Sequence, residues 1–126
     1  MICLRCTGRT IEENLALIEK NRKFIDMAEL RADFLPAEDL QRLAAFPALA
    51  GLPCILTYRK PADGGNPSGV CSDSASDSGG SIQKRCEILS EALKGNWAYI
   101  DLEDDAEAEC VWAPPTSAVE PQLAPP

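Results

Sequence analysis

The sequence predicts an α/β protein with parallel strands, and three observations carry that prediction. Short apolar runs rich in strand formers alternate with segments of helical periodicity, in the order β-α-β-α-β-α-β. Connections of that length join parallel strands through right-handed helical crossovers. The composition, 45% hydrophobic and 25% charged over 126 residues, fits one globular unit. A complete eight-stranded (β/α) barrel needs ~250 residues and is excluded.

The first strand is expected over residues 2–7, ended by Gly8. Thr10-Ile11-Glu12-Glu13 has the form of a capping box, in which the Thr10 hydroxyl accepts from the Glu13 amide and the Glu13 carboxylate reaches back. Ile11, Leu15 and Ile18 then mark one face of a helix reaching about Lys23. Residues 24–31 read as the second strand, and Ala37 to Phe46 as a second helix with Leu40, Leu43 and Ala44 on its apolar side. Pro47 and Pro53 bracket a link. Cys54 to Arg59 is the third strand, followed by the turn residues Pro61-Ala62-Asp63-Gly64-Gly65. The Ser/Gly-rich segment 66–81 has little to bury and reads as a flexible loop. A third helix is expected from Ile82 to Lys94 with Gly95 as its cap, then a fourth strand over residues 97–102. Residues 106–126 read as a disordered acidic, proline-rich tail.

Charge is unevenly distributed. The net charge is −8, and residues 101–126 carry seven acids and no Lys or Arg, so the body is nearly neutral. No basic face is available to neutralise a phosphate backbone, which disfavours nucleic acid. No apolar run approaches the ~20 residues of a membrane span, and Met1-Ile2-Cys3-Leu4-Arg5 lacks the layout of a signal peptide. The six cysteines are accordingly read as reduced thiols of a cytoplasmic protein. Cys3-x-x-Cys6 sits in a strand and lacks a second close pair or any histidine, so it is read as structural rather than as a metal or redox site.

Strand parity gives the functional lead. Met27, Glu29 and Arg31 share one face against Ala28 and Leu30; Ile55, Thr57 and Arg59 oppose Leu56 and Tyr58; Tyr99, Asp101 and Glu103 oppose Ile100 and Leu102. Three strands thus carry ionisable groups toward their C-terminal ends, where parallel α/β folds bind ligands. Glu29, Arg31 and Arg59 offer one carboxylate and two guanidiniums, suited to a small anionic, hydroxylated molecule.

Met1-Ile2-Cys3-Leu4, Asp26-Met27-Ala28-Glu29-Leu30-Arg31-Ala32-Asp33, Ile55-Leu56-Thr57-Tyr58-Arg59 with Asp63-Gly64-Gly65, and Tyr99-Ile100-Asp101-Leu102-Glu103 together resemble type I 3-dehydroquinate dehydratase. The match runs in order over residues 1–105. It implies a partial (β/α)8 TIM barrel, about the first four strands and three helices, followed by an irregular C-terminal tail. The family dehydrates 3-dehydroquinate to 3-dehydroshikimate in the shikimate pathway, through a lysine Schiff base and a proton-shuttling histidine, with neither cofactor nor metal. By position, Glu29 and Arg31 match the substrate-contacting Glu-x-Arg pair, Arg59 the arginine that holds the substrate, and Asp63 an acid that supports the histidine.

Two departures qualify the resemblance. The family histidine and Schiff-base lysine come from later strands, and this sequence has no histidine; its lysines (Lys20, Lys23, Lys60, Lys84, Lys94) fall in helices or after the third strand. Arg5 has the parity of Cys3 and Thr7 and points into the barrel, where the family usually has a small residue. The expectation is an N-terminal half of the family barrel, shortened and inactive as written, that binds 3-dehydroquinate. The alternatives are a non-catalytic anion-binding half-barrel, with a homodimer as one form, or the start of a fused dehydratase and shikimate dehydrogenase.

Overall fold

The computed structural model describes residues 1–59, 64–66 and 78–101. Within them the chain runs β1 (Cys3–Cys6), α1 (Ile11–Asn21), β2 (Met27–Arg31), α2 (Ala37–Leu40), α3 (Phe46–Ala50), β3 (Cys54–Thr57), α4 (Ser78–Ala92) and β4 (Tyr99–Asp101). The four strands form one all-parallel sheet in the order β1-β2-β3-β4. The predicted α/β class and parallel order therefore hold, and the open sheet is consistent with part of a (β/α) barrel. No helix among the described residues is long and apolar enough to cross a membrane.

The register sorts the side chains onto two faces. Leu4, Ala28 and Cys54 align across β1–β3, and Cys6, Leu30, Leu56 and Ile100 across all four strands. These residues pack with Ile11, Ile18, Leu43, Phe46 and Leu89 into the core on the helix side. On the opposite face Arg5, Glu29, Ile55 and Tyr99 form one row, and Arg31, Thr57 and Asp101 the next. Side-chain alternation on parallel strands leaves no other arrangement once one face is apolar.

Helix α1 starts as its sequence requires, with one change. The Glu13 amide donates to Thr10 Oγ1 at 3.0 Å, but the Glu13 carboxylate accepts from the Arg9 amide, at 3.0 Å, one residue earlier than an ideal capping box. A partner distant in sequence completes the cap: the Ile11 amide donates to Asp39 Oδ2 of α2 at 2.9 Å. The helix ends at Asn21, and a 3-10 turn over Arg22–Phe24 takes up the rest of the expected span.

The expected second helix is broken. α2 has four residues, a 3-10 turn covers Leu43–Ala45, and Pro47 lies in the first turn of α3 instead of opening a link. Proline is favoured there because the first-turn N–H groups need no partner within the helix. α4 begins at Ser78, inside the segment read as a loop; Gly79 and Gly80 each disfavour helix by about 1 kcal/mol, so this first turn is carried by the packed turns that follow, around Cys86 and Leu89. The remainder of that loop and the 106–126 tail lie outside the described residues.

Gly95 follows α4, but its φ is not positive, so it is not the left-handed cap expected of it. It is glycine for another reason: a Cβ there would collide with the Ala44 carbonyl. That close approach lets Trp97 stack on Phe46, with ring centroids 5.9 Å apart and planes 10° from parallel.

Candidate functional site

The polar face of the sheet is built from the three strands that the sequence singles out. Glu29, in mid-β2, accepts from Thr57 Oγ1 at 2.7 Å, which ties the faces of β2 and β3 together. Asp101 registers with Thr57 and lies 3.6 Å from the Arg59 guanidinium. Arg31 ends β2 on the face of Glu29. Glu29 and Arg31 thus share one face of β2, at its middle and its end, and Arg59, two residues beyond β3, reaches Asp101 on that face.

Their environments differ. The Glu29 side chain is 22% exposed and Arg59 40% exposed, so both are reachable from solvent. Arg31 is buried. Its Nε and Nη2 donate to the two oxygens of Asp33 at 2.9 and 2.8 Å, Nη2 also reaches the Gly64 carbonyl at 3.4 Å, and its guanidinium lies 5.2 Å from the Phe34 ring centre. Gly64 has φ +92°, the left-handed turn conformation that its sequence context anticipates.

Asp33 receives no role from the sequence alone, yet its side chain is 1% exposed and it joins three segments. Besides Arg31, its Oδ2 accepts the Asn66 amide at 2.9 Å, its Oδ1 the Arg59 amide at a long 3.5 Å, and its own carbonyl the Asn66 side chain at 3.1 Å. The available signal was its position two residues beyond Arg31. Pattern reading cannot see its other partners, which are 26 and 33 residues away. Arg85 was likewise unmarked: it is buried, donates to the Tyr58 carbonyl at 3.1 Å and packs over that ring, bracing the end of β3 from α4. Asp63 lies outside the described residues.

Arg5 faces the site as its parity requires. It registers with Glu29, and its Nε lies 3.8 Å from the carboxylate, but it is 69% exposed, so the pair is weak. Lys20, Lys84 and Lys94 lie in or beside helices, away from the polar face, and Lys23 in the 3-10 turn after α1. A separate cleft of about 510 Å³ runs between α2 and α4, on the helix side of the sheet.

Cys3 and Cys6, three residues apart, point to opposite faces of β1, one exposed and one buried. Burial pushes the Cys6 thiol up to about 12 and Cys54 up to about 11; neighbouring thiols, and Glu29 for Cys6, add to this. Burial also raises Cys3, with Glu29 as the second cause. Such thiols stay protonated at neutral pH and are poor nucleophiles. Cys86 corrects the expectation of six reduced thiols: it is disulfide-bonded, with its partner outside the described residues.

No curated protein and no solved structure matches the chain. A family model for type I 3-dehydroquinase matches residues 2–112, which takes in every described strand and Arg5, Arg31 and Arg59 of the polar face. Family match and sheet geometry agree, and the chain belongs to the type I 3-dehydroquinase family.

Proposed function

We propose that this chain carries the substrate-holding part of a 3-dehydroquinate dehydratase site. The observation that supports this most is the polar face that gathers Glu29 and Arg31 of β2 with Arg59, just past the C-terminal end of the parallel neighbour β3. In this reading Arg31 and Arg59 supply fixed positive charge and N–H donors to an anionic substrate, and Glu29 accepts from its hydroxyls. Asp63 completes the set as the acid that would support a histidine. Schiff-base formation needs an amine on this face, and proton transfer needs a base of moderate pKa. The sequence has no histidine, and no described lysine lies on the face. In this reading the chain by itself is a binder without turnover.

Calorimetric titration with 3-dehydroquinate, paired with borohydride treatment and mass spectrometry, tests this. Saturable binding with no enone formation and no reduced adduct is the expected result. Absence of binding overturns the proposal, and turnover with a trapped lysine overturns the inactive part of it.

A second reading rests on the open sheet. β1 and β4 each have one strand partner among the described residues, and Ile2 and Tyr99 beside them are exposed. Unpaired edges of this kind favour association with another chain, here a second copy. A monomeric mass by sedimentation at tens of micromolar would remove this reading.

A further inference from the structure

We propose that Asp33 is a positioning residue: it sets the guanidinium of Arg31 and ties the 64–66 turn and the start of the Arg59 segment to the same point. The inference deepens the substrate-holding reading above, and its substrate arm rests on that reading.

The geometry carries the argument. A buried carboxylate is costly unless its oxygens are well used, and each oxygen of Asp33 accepts from Arg31 and from a second donor. The fork to Arg31 is bidentate, with both bonds under 3.0 Å, which fixes the plane of the guanidinium as well as its position. Phe34 lies against that guanidinium, so it is held by an edge and a ring together. Asp33 takes the Nε and Nη2 edge, which aims Nη1 away from the fork.

The same carboxylate accepts the amides of Arg59 and Asn66, and Asn66 Nδ2 returns a bond to the Asp33 carbonyl. Arg31 and Arg59, two of the three arginines of the polar face, are therefore referred to one buried anion. Removing its charge should release Arg31 and loosen Arg59 together, although Asp33 need not touch substrate.

The test uses Asp33→Asn, which keeps the shape and loses the charge. Nitrogen-edited NMR of the arginine side chains, with Arg31 assigned by its loss in Arg31→Lys, reads the fork directly. In the wild type the Arg31 Nε–H should exchange with solvent at least 100-fold more slowly than that of exposed Arg9, a result needing no Asp33 variant. Asp33→Asn should erase most of that protection and weaken 3-dehydroquinate binding at least tenfold. Combined with Arg31→Lys the total loss should be smaller than the product of the two single losses, the remainder coming through Arg59. Unprotected Arg31 in the wild type, unchanged protection in Asp33→Asn, or binding losses that multiply would each overturn the proposal. A wild type with protected Arg31 that does not bind 3-dehydroquinate would keep the positioning role and sink the substrate reading instead.

Discussion

Thr57 Oγ1 donates to Glu29 Oε2 at 2.7 Å across two parallel strands, and the other carboxylate oxygen lies 3.8 Å from Arg5 Nε. Thr57 is fully buried, so its hydroxyl is held in place by packing and has little freedom to turn to water. Valine fits the same space without the donor. Thr57→Val should lower stability by about 1–2 kcal/mol, the cost of a lost bond to a charged acceptor that is still partly solvated. Urea unfolding measures this, and an unchanged midpoint would show that the bond contributes nothing net.

Asp39 gives the same kind of prediction at the edge of the core. Its Oδ2 accepts the Ile11 amide of α1, and its Oδ1 lies 3.3 Å from an Arg42 Nη1. Asp39→Ala leaves a buried amide at a helix start unpaired, and about 1–2 kcal/mol should be lost. Amide exchange should locate the loss in the first turn of α1; equal loss across the molecule would contradict the capping role.

Gly95→Ala should destabilise by about 1–3 kcal/mol, because the added methyl can be accommodated only if the Ala44 backbone moves. The same movement should disturb the stack of Trp97 on Phe46 and shift its fluorescence emission. A neutral or stabilising alanine would mean that the contact between Gly95 and the 3-10 turn at Ala44 relaxes freely.

The thiols predict the response to alkali. Cys6 and Cys54 are raised in the folded chain from 9.0 to about 12 and about 11, so the folded state holds protons that the unfolded state gives up first. Their contribution is complete below pH 9 and is lost as pH rises toward 11–12. Denaturant midpoints should fall between pH 8.5 and 10.5, and Cys54→Ala should flatten the fall. Alkylation of the native protein at pH 7.5 should modify exposed Cys3 ahead of both buried thiols.

The alternation of strands and helices, the parity of Glu29 and Arg31 and the placement of Arg5 on the face of Glu29 are all legible without coordinates, because each depends on a period of two or 3.6 residues within one short segment. The broken second helix was less legible. Its apolar spacing suits one continuous helix, whereas packing around Leu43 and Phe46 favours two short ones joined by a 3-10 turn. The start of α4 at Ser78 was hidden for a similar reason, since composition does not register a helix extended from a packed end.

Sequence alone determined which residues face together and which family the chain resembles. Tertiary structure decided that Asp33 is a hub, that Asp39 caps a helix 28 residues away, and that Gly95 is glycine for a contact and not for its φ. The first set follows from the local geometry of the backbone. The second depends on separations of tens of residues, which only the closing of the chain around its core brings within bonding distance.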